Sequence, residues 1–279
     1  MAVVAQTAGR ESSQRAAFDR PTLLAFFGVS ALLFAASAAV TIAWCVSMSA
    51  MGGMPMPGGW TMSMAWMRMP GQTWPGVATS FLGMWVVMMA AMMLPSLIPM
   101  LSRYRQAIGG AGEARLGRLT ALVGAAYFVV WTAFGTAAFL LGVALAAVEM
   151  QLPALARVVP TAVGVVVVIA GALQFTAWKA RQLACCREAP GRGRGLPADA
   201  GTAWRHGLRL GLDCSQCCAG LTTILLVVGV MDIRAMAAVA VAITVERLAP
   251  ASERAARAVG AVAVGAGLFL IARAAGLGG

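Results

Sequence analysis

The composition of this 279-residue chain excludes an ordinary soluble domain. Hydrophobic residues make up 60% of it and charged residues only 11%, with a mean hydropathy of +0.82. In soluble domains roughly a quarter of the residues are charged. The net charge of +11 is typical of a nucleic-acid-binding protein, but the basic residues lie between long apolar runs without interleaved aromatic residues. We therefore expect no nucleic-acid partner, and predict an integral membrane protein embedded in the lipid bilayer.

Long apolar segments predict an all-α, polytopic bundle of transmembrane helices. A helix needs about 20 apolar residues to cross a bilayer, and seven segments reach or approach that length. They are residues 22–46, 76–101, 119–147, 158–178, 208–230, 235–249 and 256–275. Segment 235–249 is the shortest because Glu246 and Arg247 interrupt its apolar run. The chain therefore has about seven spans, or six if this segment is re-entrant.

The distribution of Lys and Arg predicts the orientation of the bundle. The N-terminal arm and segments 102–118, 179–209 and 246–257 hold 17 of the 21 Lys and Arg residues, and the alternate segments hold the other 4. The positive-inside rule then places the N-terminus in the cytoplasm and the C-terminus outside. We expect a multi-pass protein of the cell (inner) membrane, with residues 1–279 forming one integral membrane domain. Its two long loops are an extracytoplasmic one, 47–75, and a cytoplasmic one containing Cys and Arg, 179–207.

The outer loop, 47–75, holds eight of the 18 methionines. Gly and Pro interleave with them and disfavour helix and strand alike. Thioethers are soft, uncharged donors that suit Cu(I) in an oxidising compartment, so the loop is predicted to collect copper. The alternative is that methionine serves as a flexible apolar filler at the membrane surface. The candidate metal ligands of this loop are Met54, Met56, Met62 and Met64.

Five more methionines line the second span. They form two adjacent stripes at helical spacing: Met84, Met88 and Met92, and beside them Met89 and Met93. A soft-metal ladder and ordinary core packing both fit this spacing; the candidate ligands are Met88, Met89, Met92 and Met93. Pro95 removes a helical hydrogen bond, which predicts a kink or partial unwinding beside either a pathway or a packing bend.

Three cysteines in "GLDCSQCCAG" form the most specific metal-binding pattern. Cys214, Cys217 and Cys218 stand at i, i+3 and i+4, which brings three sulfurs to one face of the fifth span. Near the reducing cytoplasm their thiols stay free, and they suit Cu(I) or zinc. Cys185 and Cys186 follow the fourth span and can approach the same face, completing a site across helices.

Four titratable residues near these cysteines are further candidates. Asp213 can pair with Arg209 at i+4 spacing or with Lys179. His206 is either a hand-off ligand nearer the cytoplasm or an ordinary interfacial histidine. Glu246 is an ionisable residue within a predicted span, for which a functional role and a structural one both stay open.

Several separated motifs resemble those of a family of predicted metal-binding integral membrane proteins, a domain of unknown function (DUF2182). The motifs are "MWVVMMAAMMLPS", "LQFTAWK", "CCREAP", "HGLRLGLDCSQCC", "GVMDIRAMA" and "ERLAP", spread over residues 60–250. In that family a cysteine usually stands three residues after the lysine, where this chain has Gln182 and, further on, Cys186. The resemblance implies a membrane fold and a metal site, and it does not separate transport from storage.

Soft donors at three depths favour a protein that handles copper(I) by capture, relay, delivery or transport, with zinc as the second choice of metal. A copper chaperone or a membrane metalloenzyme would be its partner. Two alternatives stay open: a membrane thiol-disulfide oxidoreductase that uses the C-x-x-C-C cluster, and a noncatalytic assembly factor for a membrane metalloenzyme. An enzyme acting at a bound metal ranks last, because one histidine and few carboxylates offer poor ligation for oxygen chemistry.

Overall fold

The computed structural model describes residues 2–50, 52–108, 112–187 and 197–276, which are helical almost throughout. The helices are α1 (Ala2–Ala50), α2 (Trp74–Ala107), α3 (Glu113–Gln151), α4 (Pro153–Leu173), α5 (Ala177–Arg187), α6 (Ala200–Val228), α7 (Ile233–Leu248) and α8 (Ser252–Ala274). Within the described ranges, the only sheet is a hairpin of β1 (Met54–Met56) and β2 (Trp60–Met62), followed by a 3-10 helix, Met64–Trp66. The prediction of an all-α helical bundle is confirmed.

Among the described residues, six helices are long and apolar enough to cross a membrane. They are Leu23–Ala50 of α1, together with α2, α3, α4, α6 and α8. Helix α7 has 16 residues, and at 1.5 Å per residue it is about 24 Å long, shorter than the hydrocarbon core of about 30 Å. Six candidate spans match the lower of the two predicted counts, in which segment 235–249 is set apart.

The predicted fourth span, 158–178, runs past the end of the observed helix. Helix α4 ends at Leu173, the chain turns through residues 174–176, and α5 begins at Ala177. The Thr176 hydroxyl accepts the backbone N–H of Lys179 at 3.3 Å, as expected of a residue that caps a helix N-terminus. Lys179 and the two following cysteines therefore lie on a separate short helix, which packs against α6 and α7.

The outer loop contains two short strands, so the prediction that its Gly and Pro residues disfavour strand is wrong for β1 and β2. The two strands pair antiparallel. Gly58 and Gly59 between them have φ of 103° and 77°, a left-handed conformation that glycine adopts without steric cost. The same glycines that disfavour helix therefore make the turn of the hairpin.

Helices α4 and α8 approach so closely that backbone packs on backbone. A Cβ atom on Gly171 would lie 3.0 Å from the Gly260 carbonyl oxygen, and one on Gly267 would lie 2.8 Å from the Gly164 carbonyl oxygen. The two glycines of each helix are seven residues apart and share a face. Small residues allow this close packing between membrane helices. We call these four residues the glycine seam.

The remaining long helices enclose a core lined by α2. The Trp85 indole N–H of α2 donates to the Trp131 carbonyl of α3 at 2.9 Å. Nearer the start of α3, a Cβ atom on Gly207 of α6 would lie only 2.4 Å from the Val123 carbonyl oxygen. This close approach fixes α6 against α3 and brings the cysteines of α6 into the core.

Candidate metal centre

Helix α6 presents its three cysteines to the interior of the bundle. Cys214, Cys217 and Cys218 are 0%, 2% and 1% exposed, and the Cys214 and Cys218 sulfurs are 3.9 Å apart. The helix begins after Asp199, whose carboxylate accepts the backbone N–H of Thr202 at 2.9 Å. That hydrogen bond holds the pKa of Asp199 below its usual range. The capped start and the close packing of α6 on α3 place the cysteine face.

Helix α5 contributes a fourth sulfur. The buried Cys186 thiol donates to the Asp213 carbonyl at 3.3 Å, one helical turn before Cys217. Cys185 is exposed, since neighbouring residues of a helix point in different directions. The structure therefore brings Cys186 to the cysteine face of α6 and leaves Cys185 outside it.

Helix α2 adds a thioether. The Met93 sulfur lies 3.9 Å from the Cys214 sulfur. Met88, Met89 and Met92 precede Met93 on the same helix and are also buried. The Ser96 hydroxyl donates to the Met93 carbonyl at 3.0 Å. Helix α2 continues through Pro95, so the predicted partial unwinding at this proline does not occur. We call Met93 and the four buried cysteines of α5 and α6 the inner cluster.

Arg247 of α7 is a central residue of this region that the sequence reasoning did not select. Its guanidinium donates to the Cys214 sulfur at 2.9 Å, to the Ser96 hydroxyl at 2.9 Å and to the Met100 sulfur at 3.1 Å. The side chain is 4% exposed. A signal was present, because an arginine within a membrane segment nearly always faces the bundle interior. Of the two adjacent ionisable residues, only Glu246 was predicted as a candidate.

Glu246 pairs with Lys179 rather than with its neighbour in sequence. The Lys179 ammonium lies 2.7 Å from a Glu246 carboxylate oxygen, with side chains 4% and 2% exposed. The same ammonium donates to the Cys217 carbonyl at 2.7 Å. Lys179 therefore ties α5, α6 and α7 together, and its partner is Glu246 instead of Asp213.

Tyr127 of α3 is a second residue that sequence patterns did not reveal. It is fully buried, and its hydroxyl donates to the Cys214 sulfur at 3.0 Å. With Arg247, it gives this sulfur two strong hydrogen-bond donors. Such donors stabilise negative charge on sulfur, which is the form in which cysteine binds metals.

The other predicted site residues lie away from the inner cluster. The ring of His206 stacks on Tyr104 with centroids 5.2 Å apart. Met56 and Met62 of the hairpin are buried against Ala146 and Ala156 at the α3–α4 turn, whereas Met54 is exposed and Met64 half-buried. Ala146 lies 19 residues after Tyr127, about 28 Å along a straight helix. The hairpin methionines and the inner cluster are therefore separate groups.

The geometry of the inner cluster is that of paired sulfurs. Within the described ranges, no three His, Cys, Asp or Glu side chains converge as a ready-made metal site. Two sulfur pairs at 3.9 Å share Cys214. With metal–sulfur bonds of about 2.3 Å, two sulfurs on one ion lie roughly 3.8–4.0 Å apart at tetrahedral or trigonal angles. Both pairs have the spacing of two ligands on one ion.

Comparison with protein families gives one match. Residues 82–270, more than half of the chain, match the family PpoB2, described as a copper chaperone. The matched range includes the whole inner cluster, and it agrees with the metal-binding character that the sequence motifs implied. No curated protein and no solved structure matches the chain. The chain therefore belongs to the copper chaperone family PpoB2.

Proposed function

We propose that this protein is a membrane copper(I) chaperone that holds the ion at the inner cluster and passes it to a partner. One observation carries the proposal: the Cys214 sulfur lies 3.9 Å from both the Cys218 sulfur and the Met93 sulfur. A thiolate and thioether set without oxygen or nitrogen donors selects a soft monovalent metal. The family description, copper chaperone, points to the same ion.

The number of convergent donors favours Cu(I) over zinc. A structural zinc site requires four ligands in a tetrahedron, whereas the sulfur contacts of the inner cluster join three sulfurs, those of Met93, Cys214 and Cys218. The nearby charges also support a monovalent ion. Two thiolates with one Cu(I) carry a net charge of −1, and the Arg247 guanidinium, 2.9 Å from the Cys214 sulfur, offsets that charge.

The surroundings of the cluster supply a means of delivery. Cys185 is exposed beside the buried Cys186 on α5. Thiolates exchange metal ions through shared intermediates, so an exposed thiol next to a buried ligand can present copper to a partner. The partner chemistry is that of another soft-ligand protein, either a soluble copper chaperone or a membrane metalloenzyme. In the orientation predicted by the basic residues, this exchange takes place on the cytoplasmic side.

In this proposal the hairpin collects copper at the opposite side of the membrane. Met54 is exposed and Met64 half-buried, so their thioethers are accessible. Met56 and Met62 are buried and hold the hairpin against the α3–α4 turn. Changing Met54 and Met64 to Leu should slow copper uptake by reconstituted vesicles, whereas the same change at Met56 and Met62 should mainly lower stability.

The central test is Cu(I) binding by the full chain, purified without oxygen in detergent and titrated against a chromophoric Cu(I) chelator. The wild type should compete with the chelator, and a variant with Cys214, Cys217 and Cys218 changed to Ser should lose that competition. Cys185→Ser is the matched control, because it removes an exposed thiol outside the cluster. Equal binding by the triple variant and the wild type would overturn the proposed site, and no binding by the wild type would overturn copper handling.

The Cys186 thiol bonds to the Asp213 carbonyl, one helical turn before Cys217, and this placement favours a second candidate, thiol-disulfide exchange between Cys186 and Cys217. Two thiols there would give a disulfide and release two electrons and two protons to an oxidised thiol partner. Counting alkylatable thiols after equilibration with glutathione buffers tests this. The oxidoreductase would be favoured if these two cysteines form a disulfide at physiological potentials and that disulfide does not prevent copper binding. Copurification of a metalloenzyme with a chain that binds no copper would favour the assembly factor.

A further inference from the structure

A second pair of soft donors lies outside the inner cluster. The Cys45 thiol of α1 lies 3.7 Å from the Met236 sulfur of α7. The two side chains are 2% and 7% exposed. They are separated by 191 positions in the chain, so only the packing of the bundle brings them together. Their sulfur–sulfur distance is close to that of the two pairs in the inner cluster.

Further oxygen- and sulfur-containing side chains lie around this pair. Thr41, one helical turn before Cys45 and on the same face of α1, is 7% exposed, and its hydroxyl has no hydrogen-bond partner among the described residues. Met48 follows one turn later and is half-buried. Asp232 caps α7 through the backbone N–H groups of Arg234 and Ala235 and stands one helical turn before Met236.

The position of the pair places it at the opposite end of α7 from the inner cluster. Met236 lies in the first turn of α7, and Arg247, which contacts Cys214, lies 11 residues later. That separation is about 16 Å along the helix and returns to nearly the same face. Cys45 lies five residues before the end of α1, after which the chain enters the loop that holds the hairpin. The pair therefore lies at the same end of the bundle as the methionine-rich loop.

The buried methionines of α2 cover the interval between the two positions. Met93 contacts Cys214, and Met100 contacts Arg247, so this part of α2 lies beside the inner cluster. Met84, Met88 and Met92 precede Met93 by up to nine residues and are buried on the same helix. Nine residues correspond to about 13 Å, which is most of the distance from Arg247 back to Met236.

We infer that Cys45 and Met236 form an outer Cu(I) site, separate from the inner cluster, which receives the ion from the methionine-rich loop and supplies it to the thioethers of α2. This inference rests on the proposed copper(I) function. One thiolate and one thioether give the two soft ligands that Cu(I) accepts, and the site carries no histidine or further cysteine that would favour zinc. Binding releases the thiol proton of Cys45.

The test uses the full chain with Cys186, Cys214, Cys217 and Cys218 changed to Ser, the inner-cluster variant. It should retain one equivalent of Cu(I), and X-ray absorption at the copper edge should show sulfur ligands on the copper. Adding Cys45→Ser or Met236→Leu should remove that equivalent. Met150→Leu is the matched control for Met236→Leu, since its side chain is exposed. In the otherwise unchanged chain, Cys45→Ser should lower the copper stoichiometry by one equivalent, which tests the site without altering the inner cluster.

The outcomes separate this inference from the proposed function. If the wild type binds copper, and Cys45→Ser and Met236→Leu leave its stoichiometry unchanged, the outer site does not exist and the inner site stands. An absorption spectrum of the inner-cluster variant in which copper has no sulfur neighbour would also overturn the outer site. If the wild type binds no Cu(I), the proposed function itself is wrong.

Discussion

Replacing one member of the buried Lys179–Glu246 pair should destabilise the protein far more than replacing both. The two charged groups are 2.7 Å apart and almost inaccessible to solvent. Removing one partner leaves an uncompensated buried charge, which typically costs about 3–5 kcal/mol, whereas exchanging both for apolar residues is often neutral. For Lys179→Met and Glu246→Leu, at a few degrees per kcal/mol, each single change should lower the apparent unfolding temperature on the order of 10 °C.

The double variant should recover most of that loss. It still lacks the hydrogen bond from Lys179 to the Cys217 carbonyl, 2.7 Å in the wild type, which accounts for about 1 kcal/mol. The assay heats detergent-solubilised protein through a series of temperatures and measures the monodisperse fraction that remains by size-exclusion chromatography. The refuting result is additivity, in which the double variant loses as much as the two single variants combined. The two charges would then be independent of one another.

Three further changes probe the packing around Cys214. Gly207→Ala puts a methyl group 2.4 Å from a backbone oxygen of α3 and should cost about 1–3 kcal/mol of stability. Its control, Gly124→Ala, places a methyl group with nothing within 4 Å and should be neutral or stabilising. Equal effects of the two changes in the heating assay would contradict this. Tyr127→Phe removes the hydrogen bond to the Cys214 sulfur and should cost about 1 kcal/mol, so an unchanged unfolding temperature would show that the bond contributes nothing. Arg247→Lys keeps the charge but cannot contact three acceptors at once, so it should cost about 1.5–3 kcal/mol; full stability of this variant would show that charge alone matters.

Local patterns of the sequence predicted the helices and the buried faces of individual helices. The length of the apolar runs identified the membrane-spanning segments, because the bilayer thickness sets that length. The i, i+3, i+4 spacing of Cys214, Cys217 and Cys218 implied a common face, and the structure buries all three. These features depend on one helix at a time, so periodicity is sufficient to find them.

Such patterns could not predict contacts between helices. The i, i+4 rule offered Arg209 to Asp213, but it gives no means to match Lys179 of α5 with Glu246 of α7. Tyr127 contacts Cys214 across two helices, and nothing around it in the sequence distinguishes it from a packing residue. The Cys45–Met236 contact likewise depends on how α1 packs against α7.

The glycine seam between α4 and α8 has a consequence for biosynthesis. Its contacts include backbone on backbone, with 3.0 Å from a Gly171 Cβ position to the Gly260 carbonyl oxygen, so the seam requires small residues on both helices. Helix α4 enters the membrane well before α8 is translated. During that interval its glycine face lacks this partner, and small residues offer lipid little contact. The two helices can join only after α8 has been inserted, which makes this a late step of assembly.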